Sequence, residues 1–153
     1  MNELILAPQF IIMSANRQSF LLARLAIGTS LFGHGLVRLP KLDLFSHGMA
    51  AQFQHSILPQ RLVLGFGYFL PFAEFGIGLL TLLGLFTRPA AIAGSLLMIA
   101  LIFGTTAVEK FENIPSMLLH ALFFIGVLIF VDRYDNWSLD RAFGLRKSGG
   151  LLQ

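Results

Sequence analysis

The sequence predicts an all-α integral membrane protein, a four-helix bundle with a short interfacial helix in its first loop. Three observations carry this expectation. Of 153 residues, 56% are hydrophobic and only 12% are charged, against about 45–50% and about 25% in an ordinary soluble domain. Mean hydropathy is +0.75. Four stretches are each long and apolar enough to cross a bilayer. So few charges cannot cover a water-facing surface, and such hydrophobicity excludes intrinsic disorder. With no cysteine in the chain, disulfide frameworks, thiolate metal sites, iron–sulfur clusters and CxxC redox chemistry are excluded. The length fits a single transmembrane domain over residues 1–153.

The expected spans are 19–36, 62–86, 89–108 and 115–131. Backbone polar groups find no water in lipid, so each span must be helical. A β-barrel would need alternating segments of about 10 residues, and these runs do not alternate. The apolar piece Leu4–Met13 is too short to span. It lacks a basic region and a small-residue cleavage site, so an interfacial or packed segment is expected rather than a cleaved signal. Ser14-Ala15-Asn16 then reads as a helix start. In the first loop, Leu42, Phe45, Met49 and Phe53 recur near the helical period. A short helix is therefore expected to lie apolar side down on the membrane, with Asp43 and Ser46 as caps and Pro59 as its end.

Four spans put both termini on one side. Arg17, Arg24, Arg88, Arg133, Arg141, Arg146 and Lys147 share that side, and Arg38, Lys41, Arg61 and Lys110 lie opposite. The excess places both termini in the cytoplasm. The basic tail 132–153 then contacts anionic lipid, and the net charge of +3 gives no reason to invoke nucleic acid.

Charges inside spans are costly, by about 2.5–3.5 kcal/mol each on insertion scales, and mark functional positions. Glu74 lies mid-span. Gly67, Pro71, Gly78 and Thr81 share its helical face, a small-residue stripe suited to close helix approach. In the first span Arg24, Gly28, Leu31, Gly35 and Arg38 form a second stripe. Counted from the expected span ends, Arg24 and Glu74 differ by about 8–10 Å in depth. A long arginine bridges much of that, so Arg24 is the expected partner of Glu74 and Arg38 is expected to snorkel. His34 and His120 fall at matching depths on different helices. Two such imidazoles could ligate haem or metal, bracket a quinone carbonyl, or relay protons. Two histidines are a thin ligand set, so haem is disfavoured and no metal site is assigned. No Walker loop, dinucleotide fingerprint, nucleophile elbow or HExxH occurs.

The order of these features resembles the DoxX family. The first span, LLARLAIGTSLFGHGLVRLPKL, has the early Arg24, then His34-Gly35, then Arg38 and Lys41. The family usually has lysine soon after the His-Gly, so Arg38 is a departure and Lys41 the stand-in. EFGIGLLTLLGLFTRPAA is similar to the family's glutamate-and-glycine helix and its Leu-Gly-Leu-x-Thr-Arg turn, at Glu74, Gly76, Gly78, Gly84, Thr87 and Arg88. NWSLDRAFG is similar to the closing Ser-Leu-Asp segment, at Ser138, Leu139 and Asp140, with Asp132–Asp135 where a glycine-rich stretch is usual. The resemblance covers Ser19 to Gly144. It implies a bacterial cytoplasmic-membrane protein related to a small subunit of a terminal quinol oxidase and to membrane parts of thiosulfate:quinone oxidoreductases.

Three functional classes follow. The first is a membrane subunit of a quinone-linked oxidoreductase, with Glu74 and His34 catalytic and Arg24, Glu74, His34, His120 and Arg38 lining a quinone site. A buried carboxyl suits the proton delivery that quinone reduction needs. The second is a non-catalytic assembly or anchoring subunit whose polar stripe is helix glue. The third is a small transporter, for which four helices leave little room without a homo-oligomer. Expected partners are the lipid bilayer and redox subunits.

Overall fold

The computed structural model describes the backbone of residues 3–145 and the side chains of residues 15–145. The packing of Leu4–Met13 and the tail residues Arg146 and Lys147 lie outside what it describes. Six helices follow in order: α1 (Glu3–Arg38), α2 (Leu42–Gln52), α3 (Gln60–Leu83), α4 (Thr87–Ala107), α5 (Ile114–Tyr134) and the short α6 (Leu139–Ala142). Four segments, built on α1, α3, α4 and α5, are long and apolar enough to cross a membrane, and no strand occurs among the described residues. The chain is a multi-pass membrane protein built as a helical bundle.

The expected spans fall on these helices, with corrections at their ends. Ser14-Ala15-Asn16 does not start a helix, because α1 runs through it from Glu3. Ser19 Oγ donates to the Ala15 carbonyl at 2.9 Å, a back-bond that leaves the helix ladder continuous. α2 forms as expected, but Asp43 and Ser46 do not cap it. Asp43 accepts a hydrogen bond from the Tyr68 hydroxyl at 2.6 Å, and Ser46 Oγ donates to the Leu42 carbonyl at 2.8 Å. Pro59 does not end α2, which stops at Gln52. It stands immediately before α3, where a missing N–H costs nothing. α3 ends three residues earlier than expected, at Gly84, whose φ of +65° is the left-handed conformation that terminates helices.

Two antiparallel pairs dominate the packing, α1 on α3 and α4 on α5. Small residues set the first. Gly28 faces Leu82, Gly78 faces the Leu31–Phe32 backbone, and Gly35 faces Phe75, so closely that a Cβ on Gly35 or Gly78 would collide with the opposing main chain. In the second pair, Gly94 lies against the ring of Phe124, which is fully buried. The core between the pairs holds Ile27, Leu31, Leu70, Leu97, Phe124 and Val127. The glutamate-bearing face of α3 is buried along its length, at Gly67, Pro71, Glu74, Gly78 and Thr81. The glycine contacts fix a constant α1–α3 register, in which Glu74 lies level with Leu36 and Arg24 lies level with Phe86.

Candidate functional site

That register decides which arginine meets Glu74. The expected Arg24–Glu74 pair does not form. Arg24 lies about twelve residues from the level of Glu74, or roughly 18 Å at 1.5 Å per residue. Depth counted from Ser19 misplaced it, because α1 starts earlier and Arg24 belongs to the end of the bundle, not its interior. Arg38 is the partner instead: its Nη1 donates to Glu74 Oε1. Arg38 does not snorkel. Its guanidinium also lies over the Phe45 ring of α2, 4.7 Å from the centroid, a favourable cation–π placement. Glu74 is 2% exposed, and its second oxygen, Oε2, has no hydrogen-bond partner among the described residues.

His34 and His120 come together as expected, one from α1 and one from α5, with ring centroids 6.0 Å apart in a T-shaped arrangement, the planes at 77°. Each Nδ1 lies 2.7 Å from the carbonyl oxygen four residues earlier, Ser30 for His34 and Ser116 for His120. A carbonyl only accepts, so both Nδ1 atoms carry hydrogen. In the neutral rings both Nε2 atoms are then acceptors. Ser30 Oγ lies 2.8 Å from His120 Nε2 and donates to it. No hydrogen bond to His34 Nε2 forms among the described residues.

These groups line one cavity of about 550 Å³ at the end of the bundle carrying the α1–α2 and α4–α5 connections. Leu31, His34, Arg38 and Glu74 form one wall, and Met98, Leu101, Met117 and His120 the other. Phe45, Phe53 and Phe66 make its remaining surface largely apolar. At the rim, Lys110 Nζ donates to Gln52 Oε1 at 2.6 Å. The volume lies within the usual range of about 300–1,000 Å³ for ligand pockets.

The opposite end is closed. Arg24, 2% exposed, donates from Nη1 to Asp135 Oδ1 at 2.9 Å and from Nη2 to the Trp137 carbonyl at 2.7 Å. Beside it, Asp140 accepts from the Phe86 and Thr87 amides at 2.7 and 2.9 Å. These are first-turn N–H groups of α4 that no intrahelical carbonyl serves. The Asp140 amide donates in turn to the Gly84 carbonyl at 2.9 Å. Of the predicted site residues, Glu74, His34, His120 and Arg38 therefore share the cavity, and Arg24 does not. Ser30 and Asp135 were missed. Ser30 carried a signal, since both histidines follow a serine by four residues. Asp135 offered only a charge just past a span.

In comparison with families of known proteins, residues 19–107 match the DoxX family model. No curated protein and no solved structure matches the chain.

Proposed function

The chain belongs to the DoxX family, and from that premise we propose that it is the membrane subunit of a quinone-linked oxidoreductase, with the cavity as its quinone headgroup site. The observation that carries this reading is the pairing of a buried carboxylate with an arginine and an uncommitted imidazole on the wall of one apolar cavity. The site fits a quinone. Its aromatic and aliphatic surface suits the ring, and Glu74 Oε2 and His34 Nε2 are acceptors that no described residue satisfies, available to the protons of its reduced form. A bound quinone supplies two-electron, two-proton chemistry. The residues hold and move its protons: Glu74 as the carboxyl that exchanges them, Arg38 as the charge that orients Glu74, His34 as the neighbouring acceptor. A haem between the histidines fits poorly, because the ring centroids are only 6.0 Å apart and Ser30 occupies His120 Nε2.

We place the protein in the bacterial cytoplasmic membrane with both termini inside. Among the described residues, five Lys/Arg lie at the Gly84 end and four at the cavity end. Arg146 and Lys147 add to the former by sequence. The cavity then opens toward the outer face.

Glu74→Gln in native membranes tests the reading. It is expected to reduce quinone-dependent turnover by at least about a hundredfold, with the protein still inserted and its unfolding temperature in mild detergent little changed. Mild-detergent affinity purification would recover the partner redox subunits in fixed proportion. The assembly reading has its own support, the Arg38–Glu74 pair joining two helices. On that reading, Glu74→Gln lowers stability, and activity falls only in proportion.

A further inference from the structure

The polar atoms of the cavity differ in kind, and the difference selects a ligand. Glu74 Oε2 accepts hydrogen bonds and makes none within the described residues. His34 Nε2 also accepts, since its Nδ1 hydrogen is given to the Ser30 carbonyl. His120 would offer a third acceptor, but the Ser30 hydroxyl fills it. Ser30 therefore acts on both imidazoles at once, through its carbonyl on one and its hydroxyl on the other. Near Glu74 and at the rim two donors are engaged, Arg38 Nη1 with Glu74 and Lys110 with Gln52, and further donors of the lining, Thr105, Asn113 and Ser116, belong to the α4–α5 side. Arg38 keeps further N–H groups beside Glu74.

We infer that this cavity selects a ligand bearing a phenolic or hydroquinone hydroxyl over one bearing only carbonyls, with Glu74 and His34 as the acceptors and Ser30 as the positioning residue that leaves His34 as the open imidazole. A hydroxyl donates and accepts, so it serves the carboxylate or imidazole and Arg38 together. A quinone carbonyl only accepts. It reaches Arg38 and leaves the buried Glu74 Oε2 unsatisfied, and a buried polar group left unmade weakens binding. The inference rests on reading the cavity as the quinone site, and it adds which redox form is held.

The test is equilibrium binding to the full chain in nanodiscs under argon, using a short-chain benzohydroquinone, its quinone and its dimethyl ether. The hydroquinone is expected to bind about tenfold tighter than either of the others, the equivalent of one charge-assisted hydrogen bond. In Glu74→Gln the amide adds a donor, and the preference for hydroquinone over quinone is expected to fall toward parity. Ser30→Ala keeps the carbonyl to His34 and removes only the hydroxyl. It is expected to shift the ¹⁵N resonance of His120 Nε2 and not that of His34, with Ser30→Thr restoring it. Quinone binding as tight as hydroquinone would overturn the inference and leave the quinone-site reading standing. No binding of any of the three probes would overturn both. An unmoved His120 resonance in Ser30→Ala would remove Ser30 from the arrangement.

Discussion

Two arginines stand on the same face of α1, fourteen residues apart in sequence, and the two ends of the bundle use them in opposite ways. Arg24 is enclosed. A carboxylate and a backbone carbonyl meet it, and it joins the start of the bundle to the segment after α5. Arg38 is about a quarter exposed, pairs with Glu74, and borders a cavity in which one carboxylate oxygen has no partner among the described residues. One end therefore encloses its buried charged groups in ion pairs and caps, and the other turns a buried carboxylate oxygen toward a cavity. Buried atoms without a partner among the described residues occur at both ends, Thr87 Oγ1 and Ser138 Oγ among them, and what sets Glu74 Oε2 apart is the cavity it borders. The difference lies in surroundings, not in residue type.

The largest effect is expected from Arg24→Met. Breaking a buried pair by removing one partner costs about 3–5 kcal/mol, because Asp135 keeps its charge in a site 1% exposed. Chemical unfolding in mixed micelles should show that loss. Double replacement with Asp135→Asn should recover much of it. A small loss in the single variant would mean that the closed end is less closed than its geometry indicates.

Asp140→Asn comes next. The carboxylate receives two α4 amides, one per oxygen. An amide keeps one acceptor and turns an NH₂ toward the other N–H. The expected cost is about 1–2 kcal/mol, the usual range for losing a helix cap, read as a drop in unfolding midpoint. Local amide exchange should rise at Phe86 and Thr87 before the rest of α4.

The same contrast governs what could be read from the sequence. The four long helices and α2 were legible, because apolar run length and helical period record burial directly. The small-residue stripes on α1 and α3 were legible too, and they set the register in the structure. What the sequence did not give was the pairing of charges across that register. A span end misjudged by a few residues shifts depth by several ångströms, enough to exchange Arg38 for Arg24 opposite Glu74. The caps failed for another reason. Asp43 and Asp140 are equally good cappers by type, yet Asp43 bonds Tyr68 and Asp140 caps a helix 53 residues away. Local patterns cannot see such a partner. The similarity at Gly84, Thr87 and Asp140 marked these residues without explaining them. In the structure they meet at one turn.

Arg38→Met is the counterpart at the open end. It also removes an arginine from a carboxylate, but Glu74 faces a cavity from which it can take up a proton or bind water. The expected loss is about 1 kcal/mol, several times less than for Arg24→Met, because the arginine is a quarter exposed and a carboxyl beside a cavity neutralises instead of staying charged. Ligand binding should suffer more than stability. Equal losses from the two variants would erase the distinction between the ends.

The smallest effect is expected from Arg88→Ala. Arg88 belongs to the same turn as Gly84 and Thr87, and so to the closed end by sequence. Its pair with Asp132 is more than half exposed on both sides. Exposed pairs contribute about 0–1 kcal/mol and are screened by salt. Arg88→Ala should therefore move the unfolding midpoint by less than about 0.5 kcal/mol, and by less still at high ionic strength. This variant separates burial from position. If the closed end is rigid because Arg24 and Asp140 are enclosed, removing an exposed arginine one residue from Thr87 leaves it intact. A loss comparable to that of Asp140→Asn would instead make the whole turn, exposed face included, part of the lock.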